Sequence, residues 1–116
     1  MHKFVHSILS TPYVVKFGDK TALGMNEENM GLCKIYAKEI LVSTEKDDCT
    51  EEELRVRTKE ILAHEIFHAF VNEAGIDLDP CVEEQLASFY MKNWEKMSKS
   101  IHMLLGMLPE SLFDKQ

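Results

Sequence analysis

Hydrophobic positions in the first half of the chain recur at strand spacing. Tyr13, Val15 and Phe17 alternate along a run that ends at Gly18-Asp19. A second run, Gly31 to Tyr36, is followed after Ala37-Lys38 by Ile40-Leu41-Val42, which predicts a hairpin. Thr21 to Met25 is a weaker strand candidate, because Gly24 interrupts it and the polar Asn26-Glu27-Glu28-Asn29 follows. The period then changes. A polar stretch from Ser43 to Cys49 ends at Thr50, with Glu53 at capping-box spacing, so a helix is predicted from Thr50 to Ala74 with Gly75 as its stop. Between Ile61 and Val71 that helix is apolar on most sides, which places it in a core rather than on a surface. Asp77-Leu78-Asp79-Pro80 makes a turn and a second helix start. This second helix is expected from about Cys81 to Leu105, closed by Gly106 and Pro109, with a tail containing Met107, Leu108, Leu112 and Phe113. Short strands followed by helices define an α+β class.

Length and composition narrow the picture further. A chain of 116 residues with 45% hydrophobic content supports one domain, residues 1–116, around one core. The formal charge of −7 is spread along the chain with no basic cluster, which argues against a nucleic-acid partner. Apolar stretches fall well short of the ~20 residues that span a bilayer, so no membrane partner is expected. Polar residues interrupt Met1 to Leu9, so it does not read as a secretory signal and a cytoplasmic location is expected. Cys33, Cys49 and Cys81 show no close pairing and read as free thiols. No repeat or low-complexity segment is present.

The buried helix carries polar residues that need an explanation. His64-Glu65-Ile66-Phe67-His68 matches H-E-x-x-H. Residues four apart lie one above the other on a helix, so both imidazoles can reach one Zn²⁺ while Glu65 sits beside the ion as a general base. Leaving His, Glu and His uncompensated in an apolar helix would cost several kcal/mol, which a metal and its supporting hydrogen bonds offset.

A catalytic zinc has three protein ligands and an open position, so a third ligand is expected. The extended motif with a third histidine fails, because Val71 and Ala74 occupy its Gly and His positions. Glu73 lies about 140° round the helix from His68. Asp77, Asp79, Glu83 and Glu84 are the other acids at hand. Glu83 shares a face with Leu86, Ala87, Tyr90, Trp94, Met97 and Ile101, the face that packs inward; Glu84 shares one with Ser88, Met91, Glu95 and Ser98 and is expected to face solvent. Glu83 is therefore the candidate third ligand, the alternative being a carboxylate favoured simply by the dipole at a helix N-terminus.

With His64 to His68 and a downstream Glu83 on a second helix, the chain resembles the gluzincins, and its size resembles the minigluzincins. The hairpin Gly31 to Val42, the segment Leu62 to Phe70 and Val82-Glu83-Glu84-Gln85-Leu86-Ala87 are similar to small zinc peptidases of phages and prophages. The resemblance covers most of residues 10–100. It implies a minimal zincin-like fold, in which a small twisted antiparallel sheet packs on the active-site helix and one strand lines the cleft. It also implies hydrolysis of a peptide or protein, a repressor or host protein among the candidates. The chain departs from larger gluzincins at Ala87, where an acid often supports the first histidine.

Other residues have competing readings. Tyr36, Tyr90 and His102 are candidates for stabilising an oxyanion, but each fits an ordinary structural place and none is assigned. His2 and His6 repeat the four-residue spacing near the terminus without a glutamate between them in the second position, and read as surface. Cys81 could approach the ion or be a small buried hydrophobe. The tail Met103 to Phe113 could occlude the cleft or pack over the sheet. The competing function is a non-catalytic regulatory or interaction protein that keeps zinc as a staple, closed by a fourth protein ligand. Oligomeric state is open.

Overall fold

A computed structural model describes residues 1–114. Its elements in chain order are β1 (His2–Ile8), β2 (Thr11–Gly18), α1 (Lys20–Leu23), β3 (Gly31–Lys34), β4 (Glu39–Ser43), α2 (Glu51–Glu73) and α3 (Pro80–Met107), then a 3₁₀ turn at Glu110–Phe113. The class is α+β, a four-stranded sheet with two long helices. The strand order is β1-β2-β4-β3. The hairpin β3–β4 is antiparallel as expected, and so is β1–β2, but β2 and β4 run parallel. The sheet is therefore mixed rather than wholly antiparallel. The reason is the crossover: the chain leaves β2, passes through α1 and β3, and returns with β4 inserted beside β2 in the same direction.

The strand β1 falls where the sequence shows no apolar period. Six of its seven residues are exposed and only Ile8 is buried, so this edge strand has nothing for alternation to reveal. Its turn to β2 places Leu9 and Ser10 at φ 48° and 73°, the backbone of a two-residue hairpin without the usual Asn-Gly signal. Thr21 to Met25 forms no strand. Asp19 caps the short helix α1 by accepting from the Ala22 N–H, and Gly24 ends it in the left-handed conformation.

The core lies between the sheet and α2. Ile8, Tyr13, Val15, Ile40, Val42 and Ala69 are buried together, with Ile61, Leu62 and Ile66 packed against them. Thr50 and Glu53 form the capping box that starts α2, and Ala74 and Gly75 end it. The far end of α2 is tied to the sheet by Glu73, whose carboxylate accepts from the Thr11 hydroxyl, the Tyr13 hydroxyl and the Lys38 ammonium, each at 2.7 Å. Lys38 chiefly, with the two hydroxyls, pulls that carboxyl down to about 2. Burial and the Glu73 hydrogen bond push the Tyr13 phenol up to about 12.

The second helix, α3, packs chiefly on α2 and lies outside it, with Asp79 capping and Pro80 in its first turn. Among its described residues only Ala87 is fully buried. The tail neither covers the cleft nor packs on the sheet: Met103, Leu104, Leu105, Met107, Leu108 and Leu112 are exposed. The side chain of Phe113 lies outside the described residues. No helix among the described residues is long and apolar enough to cross a membrane.

Candidate metal centre

Sandwiched between the sheet and α3, α2 turns His64, Glu65 and His68 toward a cleft of about 680 Å³. One wall is β3 with the approach to it, Glu28 to Cys33; the other is the start of α3. The four-residue spacing places the two imidazoles one turn apart with Nε2 atoms 3.3 Å from each other. Glu84 reaches over from α3, one carboxylate oxygen 2.8 Å from His68 Nε2 and the other 3.2 Å from His64 Nε2. Zn–N bonds of about 2.0–2.1 Å at tetrahedral angles put neighbouring ligand atoms about 3.3 Å apart. The His64–His68 and His64–Glu84 separations match that edge, and the His68–Glu84 separation is shorter by half an ångström or so. His64, His68 and Glu84 thus fit a metal of this kind.

The face count places Glu83 inward as the candidate ligand and Glu84 toward solvent; both directions agree with the structure, and it is Glu84 that groups with His64 and His68 within reach of one ion. Glu83 does point inward, but its carboxylate accepts from the opposite nitrogen of His68, Nδ1, at 2.5 Å. That bond engages Nδ1 and fixes the ring so that Nε2 is turned toward His64 and Glu84. Glu84 is 62% exposed at its side chain, because the centre lies at the open mouth of the cleft rather than in the helix interface. An exposed carboxylate can therefore still lie within reach of both imidazoles.

Glu65 occupies the inner wall. It is 9% exposed, and burial pushes its carboxyl up to about 7, with His68 opposing the shift and Glu84 adding to it. Gly31, at the start of β3, packs directly on this turn of α2: a Cβ there would fall 2.5 Å from Ile61 Cγ2 and 3.0 Å from Glu65 Oε2. In the sequence Gly31 looks only like the boundary of a run, because nothing local marks the approach of Ile61 and Glu65. Cys33 on the same wall is pushed up to about 12 by burial and by the charges of Glu65 and Glu83.

The remaining candidates lie elsewhere. Tyr36 is 99% exposed in the β3–β4 turn, Tyr90 stacks on Phe67 with ring centroids 5.6 Å apart, and His102 is exposed beyond the cleft. None lines the cleft, whereas Asn29 does. Cys81 is exposed and outside the ligand group, and His2 and His6 are exposed on β1. Ala87, which replaces the acid expected beside the first histidine, is fully buried against α2, and the carboxylate that orients an imidazole is Glu83 on the second histidine. No family model, curated protein or solved structure matches the chain.

Proposed function

We propose that the chain is a zinc-dependent peptidase acting on a peptide or protein in the cytoplasm. The observation that carries this reading is the convergence of His64 Nε2, His68 Nε2 and the Glu84 carboxylate within 3.3 Å of one another, with buried Glu65 on the adjoining wall of an open cleft. His64, His68 and Glu84 would hold the ion, and Glu83 orients His68. Zinc supplies Lewis acidity there, lowering the pKa of water toward neutrality and polarising a carbonyl oxygen.

The chain's own residues supply the rest. Glu65 accepts a proton from the attacking water and returns it to the leaving amine, a role that a structural zinc staple would not require. The edge strand β3 lines the cleft, and its free backbone N–H and C=O groups can pair with an extended substrate chain. The pairing would hold a scissile bond beside Glu65 in a sequence-tolerant way.

Protein purified without added zinc is expected to carry about one equivalent, lost in His64→Ala. Glu65→Gln should keep the zinc and lose turnover of a peptide library by about 100- to 10,000-fold. Zinc near zero in the wild type sinks the metal reading. Full zinc with equal turnover, or none, in wild type and Glu65→Gln favours the non-catalytic staple.

A further inference from the structure

We propose that α3 is the interface of a homodimer, with its outer and projecting surface packed antiparallel on the same surface of a second copy. This inference rests on neither zinc nor peptidase activity.

The starting point is where α2 runs out. Lys59 pairs with Glu95, Glu60 with Lys92, and His68 with Glu83, so the two helices are antiparallel and Glu51 falls opposite about residue 100. The last two turns of α3 therefore project beyond the domain. The radius of gyration, 17.1 Å, and the long axis of 56 Å record this projection; a compact chain of this length has a radius near 13 Å.

The projecting part is as apolar as a core. Ile101 to Pro109 contains no Asp, Glu, Lys or Arg. Ala87, Tyr90, Met97, Ile101, Leu104 and Leu108 fall on one seam of heptad spacing. Its first members pack on α2, while Ile101, Leu104 and Leu108 are 56%, 62% and 41% exposed. Beside it Leu86 and Phe89 form an exposed shoulder. A seam with this period is shaped to receive another helix, and a flat bilayer does not use it. The net charge of −7 also opposes an anionic membrane.

Area decides between a chance patch and an interface. A fully exposed side chain of this kind presents on the order of 100 Å² of apolar surface, so the projection and shoulder at the observed exposures present about 450 Å² per copy. Two copies would bury up to about 900 Å² of apolar surface, which at the roughly 56–65% apolar share of protein interfaces corresponds to about 1,400–1,600 Å² in all, within the range of stable protein pairs. Antiparallel pairing lays the projection of one copy along the Leu86–Phe89 shoulder of the other, which makes the patch self-complementary.

Sedimentation equilibrium of the full chain tests this. At up to about 100 μM the wild type is expected at twice the 13.4 kDa chain mass. Leu104→Glu, on the projection, should weaken association by at least about tenfold while leaving far-UV circular dichroism unchanged, and Phe89→Glu should do the same from the shoulder. A monomeric wild type throughout that range overturns the proposal. So does a dimer untouched by the two changes combined, or a monomer that binds vesicles of phosphatidylcholine and phosphatidylglycerol.

Discussion

Replacing Gly31 with alanine is expected to destabilise the fold and disable the cleft together, although the new methyl is the smallest possible addition. The added Cβ would lie 2.5 Å from Ile61 Cγ2, 3.0 Å from Glu65 Oε2 and 3.1 Å from Glu65 Cγ. Comfortable carbon contacts are about 3.5–4.0 Å, so roughly an ångström must be found at Ile61. Ile61 cannot easily supply it, because a β-branched side chain on a helix is held to one favoured χ1. Either β3 lifts from α2 or the Glu65 side chain moves. Overpacking of this kind costs about 1–3 kcal/mol, partly offset by about 0.4–1 kcal/mol from the stiffer unfolded chain. For 116 residues the unfolding entropy is about 0.24 kcal/mol/K. A net loss of about 1–2 kcal/mol thus lowers Tm by roughly 4–8 °C. Calorimetry reads that shift, and Gly106→Ala is the control, since nothing lies within 4 Å of a Cβ there. Displacing Glu65 by an ångström should also cut peptide turnover by about 100-fold, with zinc content unchanged because His64 and His68 are not pushed. An unchanged or raised Tm in Gly31→Ala would refute the close-approach reasoning.

Two further outcomes follow from the same geometry. Glu84→Ala is expected to weaken zinc binding by more than about 100-fold, and Glu83→Ala by about 10- to 100-fold, as for loss of an orienting partner; competition with a chelator ranks them, and the reverse order would give the ligand role to Glu83. Around Glu73, stability should depend on pH at both extremes. Its carboxyl is held at about 2 against an ordinary 4.5, so the stability it contributes is present above 4.5 and lost as pH falls from there toward 2. The Tyr13 phenol is raised from 10 to about 12, so its contribution is present below 10 and lost as pH rises toward 12. Denaturant midpoints across pH should show both limbs in the wild type and a flattened acid limb in Glu73→Gln; identical acid limbs would contradict the assignment.

Much of this molecule is legible in one dimension because its signals are local. A helix start depends on Thr50 and Glu53, and the convergence of two imidazoles on the spacing of His64 and His68; both are settled within a turn or two of chain. The β3–β4 hairpin and the buried placement of α2 are legible for the same reason, the first resting on an apolar alternation and the second on a stretch apolar on most sides of the helix. The features decided by tertiary structure are those where local signals are silent or degenerate. β1 carries almost no buried residue, so its place in the sheet comes from pairing with β2. The parallel β2–β4 ladder depends on where the chain returns after α1 and β3, which no local pattern specifies. Gly31 looks like a boundary until the approach of Ile61 and Glu65 is seen. The division of labour between Glu83 and Glu84 belongs here too. A face count fixes a direction to about 100° per residue, and a glutamate's flexible stem spans that uncertainty. The position of the two imidazole nitrogens in space is what sends Glu83 to one side of His68 and Glu84 to the other.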